Sequence, residues 1–190
     1  MRFFSDADGL PDGLPGGVGD QDFTGLRRLE YGLWQGRSAA SLLPVVTELA
    51  QDVTAVRKNL TSGDIAGDPT NLPVRAHEIL EDALRDHLSG IDDEGAGAAY
   101  PETYADLQVT RVVLDELSPL VLARAPGLMG TAQGQLDTLE QALLATQVSG
   151  QWTSLGSAPL ADRQRVGAAI GALVETLSSV PDLLEVPPSR

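Results

Sequence analysis

The segment "RAHEILEDALRDHLSG", residues 75–90, holds the residue types best suited to chemistry in this chain. On a helix, His77 and Glu81 stand four apart on one face, and Glu78 and Glu81 stand three apart. Imidazole and carboxylate at such spacing are how bundle helices present metal ligands inward. Oxygen ligands with one nitrogen suit Fe, Mn or Zn rather than copper. The same residues also suit a plainer arrangement, in which Glu78 and Asp82 pair with Arg85 and His77 closes the edge of a core. A second stretch, "FTGLRRLEYGLW" at residues 23–34, puts Arg27, Glu30 and Trp34 on one face beside Leu26, Leu29 and Leu33. Glu30 is either an ion-pair partner of Arg27 or part of a ligand set. If the leucine stripe faces a core, the pair is at least partly buried, and an unpaired carboxylate there is costly. Arg111 can pair with Asp115 on its own helix or with an acid across a bundle. Trp34 and Trp152 read as packing residues.

Other chemistries find no residues to carry them. His77 and His87 are the only histidines, and neither completes an HExxH pattern, because "HEILE" has Glu81 where the second histidine would stand. Nucleophile elbows and glycine-rich phosphate loops are absent. The chain has no cysteine. Disulfides and thiolate metal sites are thereby excluded. We expect no enzymatic activity.

The elements that must position these residues are helical. Asp22 or Thr24 caps a first helix running to about Trp34, and Gly36 ends it. From Ser38 the series Leu42, Val46, Leu49, Val53, Val56, Leu60 alternates steps of four and three, which predicts an amphipathic helix. Asn71-Leu72-Pro73 opens a third, whose apolar side runs from Leu72 through Ala76, Ile79, Leu80, Ala83 and Leu84 to Leu88. Leu107, Leu114, Leu117 and Val121 mark a fourth, with Pro119 bending or ending it. Ala132, Leu136, Leu139 and Leu143 mark a fifth, and Val166, Ile170, Leu173, Leu177 and Val180 a sixth. "TSGDIAGDPTN", "IDDEGAGAAYP" and "VPPSR" read as breaks. No stretch alternates with period two over strand length. The expectation is an all-α antiparallel bundle of about five to six helices over 21–185, after an irregular lead-in over 1–20.

Composition agrees. Hydrophobic residues make up 42 % and aromatics 4 %, so the core must be built from Leu, Val and Ala. The net charge of −14 and pI near 4.3 argue against nucleic acid or an anionic membrane as partner. The sequence shows no apolar run near the ~20 residues that span a bilayer. We therefore expect no membrane insertion by this chain. "MRFFSDADGLPDGLPGG" lacks the long apolar core of a secretory signal.

Three landmarks in order resemble the imelysin-like family, in its EfeO-type iron-uptake branch. "GLRRLEYGLW" is similar to the signature G-F-H-x-[IV]-E-x-x-L-W. "RAHEILEDALRDHLSG" resembles the helix A-x-E-[IL]-L-[DE]-[DE], and "YADLQVTRVVLDELSPLV" a third landmark of the form A-[ND]-[LV]-D-G-x-[RQ]-x-x-[LV]-x-x-L-x-P-L. "DGLPDGLPGGVGDQDFTG" resembles the lead-in of actinobacterial members. The resemblance covers most of 20–180. It implies an all-helical extracytoplasmic protein, periplasmic or lipid-anchored, that serves iron uptake beside a membrane permease and other uptake components. Carried onto this chain, it implies iron, or another divalent metal such as Zn, held by Glu30 and Glu78, with Glu81 and His77 beside them and Asp82, Arg111 and Trp34 behind. The departures are specific. Arg27 stands at the signature histidine, and a guanidinium cannot ligate a cation. Gln108-Val109 replace D-G. The family's helices before the signature have no counterpart here, which implies a C-terminal part, a late start or a reduced bundle. The family also carries a peptidase label, for which no residues are present. The alternative is a divergent, non-metal helical interaction module in which Arg27 pairs with Glu30 or Glu78.

Overall fold

A computed structural model describes residues 15–60, 69–91, 93 and 95–184. Most of the expected lead-in, the break over 61–68 and the terminal "VPPSR" lie outside the described residues. The protein is all-α, as the apolar spacing predicts. Six helices of ten residues or more are present among the described residues: α1 (Gly25–Trp34), α2 (Ala39–Lys58), α3 (Leu72–Asp82), α4 (Ala99–Arg124), α5 (Pro126–Leu144) and α6 (Leu160–Leu177). A short α7 (Ser179–Leu183) follows. The chain divides into two compact units, one holding α1 and α2 together with residues 95 and 96, the other holding α3 to α7.

In the first unit, α1 and α2 form a hairpin. Ser38 caps α2 by accepting from the Ser41 amide, and Gly36, at φ +67°, makes the turn before it. The leucine stripe of α1 does not face a core. Leu26 and Leu33 are exposed, whereas Gly25 and Gly32, seven apart, are buried. The reason is close approach: a β-carbon at Gly32 would lie 2.5 Å from Leu42 Cδ2. The helices therefore meet along the glycines, and at 100° per residue Leu26 and Leu33 point well away from that contact. On α2 the expected stripe is half right. Leu42 is buried and Leu49 and Val56 are partly so, while Val46, Val53 and Leu60 are exposed. The inward face runs through Leu42, Val45, Leu49, Asp52 and Val56, a narrower strip than the sequence series.

The second unit is a ring of four helices, in which α3 packs on α4, α4 on α5, α5 on α6, and α6 back on α3. Its core contains Leu80, Leu107, Leu114, Leu136, Leu139, Leu143, Ile170 and Leu173. Burying each such side chain contributes about 1.5–3 kcal/mol. Pro73 sits in the first turn of α3, where its missing amide costs nothing. Leu160–Leu183 is apolar and long enough to cross a membrane by length and composition, contrary to our reading of the sequence. Val166, Ile170, Leu173 and Leu177 of this segment lie in the bundle core, which accounts for its apolar character.

Three local features depart from the sequence reading. α4 begins at Ala99, inside the expected loop, and runs through Pro119 to Arg124 without stopping. Pro119 lies near its C-terminal end, and the ladder continues to Ala125, whose amide still bonds Val121. After α3 the chain makes one π turn, Ala83–His87, before Gly90 reverses it at φ +76°. Between α5 and α6 a two-residue hairpin pairs Gln147–Val148 with Gln151–Trp152. Ser149 and Gly150 turn it, both with positive φ, as a type I′ turn requires.

Candidate functional site

The candidate residues divide between the two units. Arg27, Glu30 and Trp34 belong to the first, and His77, Glu78, Glu81, Asp82 and Arg111 to the second.

On α1, Arg27 Nη1 lies 3.3 Å from Glu30 Oε2, one turn apart. Both side chains are more sheltered than the leucines beside them, at 15 % and 22 % exposure against 46 % for Leu26. A pair this sheltered holds its charges more firmly than a surface pair, because losing one partner leaves the other partly desolvated. Trp34 ends the same helix. A β-carbon at Gly95 would fall 1.9 Å from the indole Cε2, so the ring lies directly on the Gly95 backbone, which is at φ +90°. On the same helix, Arg28 stacks over Phe23, 5.4 Å from its centroid, and donates to the Val18 carbonyl.

On α3, His77 and Glu81 meet as their spacing predicts, with Nδ1 and Oε2 3.4 Å apart. The geometry is not that of a hydrogen bond, and the buried Nδ1 makes none. Glu78 is held by Arg75 at 2.9 Å rather than by Arg85. Arg85 instead pairs with Asp82 at 3.1 Å and with Asp86. Thus of the ligands expected on α3, His77 and Glu81 come together, while Glu78 is turned to an arginine. Among the described residues, no three His, Asp or Glu side chains stand as a group able to hold a metal ion.

The most connected polar cluster lies on α4 and α5 and was only partly legible in the sequence. Arg111 Nη2 donates to Asp137 Oδ1 and to Glu140 Oε2, each at 2.9 Å. It therefore takes the partner across the bundle, not Asp115. The other Glu140 oxygen accepts from the Tyr104 hydroxyl at 3.0 Å and from Gln108 at 3.2 Å. That hydrogen bond to Glu140, with burial second, pushes the Tyr104 phenol above its ordinary value. Trp152 of the hairpin packs on Tyr104, with ring centroids 5.5 Å apart. Gln108 stands where the resembled landmark has aspartate, and here it supplies an amide donor to Glu140.

A second cluster escaped the sequence reading. His87, at the end of the π turn, sits between Glu102 and Asp106 of α4. The signal was available, since Glu102 and Asp106 stand four apart in "PETYADL" and share a helix face.

The class these features define is an all-helical, acidic protein whose candidate site residues Arg27, Glu30, Glu78, Asp82 and Arg111 stand in ion pairs. No protein-family model matches the chain. It is 22 % identical over 187 residues to the iron uptake system component EfeO of Escherichia coli strain K12, and equally to that of Shigella flexneri. The match covers 96 % of this chain and 49 % of each relative. The chain thus spans about half the length of the curated relatives it matches.

Proposed function

We propose that this chain is a component or accessory of an iron-uptake system, acting outside the cytoplasm with iron as its cargo. The observation that supports this reading is similarity to EfeO along 96 % of the chain. Similarity spread over that length is hard to attribute to one shared helix pattern. In this reading the candidate ligands are Glu30 on α1 and, separately, Glu78, Glu81 and His77 on α3, residue types suited to iron or to another divalent ion such as Zn. Arg27 weakens the site, since its guanidinium occupies a ligand position and brings a positive charge. The partners are a membrane permease and the other uptake components, and the chain itself performs no catalysis. The test is calorimetric titration of iron into the purified chain, compared with a variant carrying Glu30→Ala and Glu78→Ala together. Binding that the double variant loses supports the reading, and binding unchanged by it refutes these ligands.

One observation favours a second reading. Arg27 and Glu30 form a sheltered ion pair, and Glu78 pairs with Arg75. The chain is then a non-metal helical interaction module whose former ligands have become structural. Under this reading Arg27→His adds no metal binding, whereas under the first it strengthens binding.

A further inference from the structure

The imidazole of His87 is held from both sides. Its Nε2 lies 3.2 Å from Asp106 Oδ2, and its Nδ1 lies 3.6 Å from Glu102 Oε2. The ring is sheltered, with 20 % of the side chain exposed. A neutral imidazole has one N–H and one lone pair, so it can donate to one of these carboxylates only, and its lone pair then faces the other. The imidazolium carries an N–H on each nitrogen and can serve both, Asp106 at hydrogen-bond distance and Glu102 as an ion pair. The two carboxylates approach opposite nitrogens, so the arrangement is a bridge for a protonated ring rather than a chelate converging on one cation.

The position of this bridge gives it leverage. His87 ends the π turn that follows α3, and π turns concentrate at functional positions. The Leu88 amide closes that turn on the Ala83 carbonyl at 2.9 Å, and the Ile91 amide returns to Asp86 at 3.2 Å. Gly90, at φ +76°, then swings the chain out of the helix. His87 is therefore the polar side chain that ties this exit to α4, beside the packed Leu84 and Leu88.

Several charged groups on the neighbouring elements have partners of their own. On its own turn, Arg85 is engaged by Asp82 and Asp86. On α3, Glu81 faces His77. On α6, Asp162 is engaged by Arg165 at 2.7 Å, and Arg163 lines a cavity of about 320 Å³ together with Asp93, Leu88 and Ser89. On α4, Glu102 and Asp106 face the ring.

The geometry points to His87 as a proton-operated latch that locks the α3 exit onto α4 when charged and loosens residues 88–91 when neutral. This inference is independent of iron binding, and its test is run with chelator present. Hydrogen exchange is followed at the Leu88 and Ile91 amides at about pH 5.5 and pH 8, either side of the ordinary histidine range, with correction for intrinsic rates. Protection in the wild-type protein should fall several-fold on raising the pH, while amides in the α5 core hold theirs. The fall should vanish in His87→Gln and shrink in Asp106→Asn, which serves alone if the first variant does not fold. Equal protection at both pH values, or an unchanged fall in the variants, would overturn the latch.

Discussion

Gly32 of α1 and Leu42 of α2 are in contact so close that a β-carbon on the glycine would lie 2.5 Å from the leucine methyl. This pair, rather than the Leu26/Leu29/Leu33 stripe, fixes which side of α1 meets α2. Arg27 and Glu30 then fall on the far side of the helix, at 100° per residue. Gly32→Ala should therefore destabilise the α1–α2 hairpin by about 1–3 kcal/mol, the usual cost of overpacking. Hydrogen exchange of α2 amides reads this out, and Leu42→Ala in the same chain should recover part of the loss. An α2 protected equally in the wild-type and Gly32→Ala proteins would refute the close contact.

The Arg27–Glu30 pair is sheltered enough for its partners to depend on one another. Arg27→Ala and Glu30→Ala should each cost more separately than a surface pair would, whose median is about 0–1 kcal/mol. Together they should cost less than the sum. A double-mutant cycle by urea unfolding measures the coupling. Strict additivity would show that the pair contributes nothing.

The Arg111–Glu140 contact makes a stronger prediction. Glu140 accepts from Arg111, Tyr104 and Gln108. Glu140→Leu removes the acceptor of Tyr104 and Gln108, leaves Arg111 with Asp137, and should destabilise the four-helix unit by about 1–3 kcal/mol. Asp137→Ala, at the exposed edge of the same cluster, should cost under about 1 kcal/mol. Denaturant midpoints rank the two.

Tyr104 gives that cluster a pH dependence of defined sign. Its phenol is pushed up chiefly by the hydrogen bond it donates to Glu140. The folded state thus keeps a proton that the unfolded chain has begun to lose. The associated stability is complete below the unfolded value near pH 10 and declines as pH rises from there through the higher folded value. Tyr104→Phe should be less stable at neutral pH by about 1 kcal/mol and should lose less on raising the pH from 9 to 11. An alkaline decline identical in both proteins would contradict the assignment.

The sequence made the fold legible wherever one side of a helix was buried by several neighbours. Leu80, Leu107, Leu136, Leu139, Ile170 and Leu173 are all fully buried or nearly so, and their spacing alone marks α3 to α6. It misled on α1 and α2, which pair within a hairpin. There one narrow strip suffices, glycines can set it, and Val46 and Val53 stay exposed. The hairpin at Gln147–Trp152 is too short for any period to register. For the candidate site, spacing on a single helix identified the His77–Glu81 and Arg27–Glu30 neighbours. The partners chosen among several in reach, Arg75 for Glu78 and Glu140 for Arg111, depend on rotamers and on packing between helices.

The central proposal is that the chain binds iron despite Arg27, with Glu30 on α1 and Glu78, Glu81 and His77 on α3 as the candidate ligands. Calorimetric titration of iron into the purified wild-type chain, Arg27→His and the Glu30→Ala/Glu78→Ala double variant tests it most directly. The account predicts saturable binding by the wild type, tighter binding by Arg27→His and none by the double variant. Absence of binding in both the wild type and Arg27→His, or binding that survives the double substitution, would contradict it.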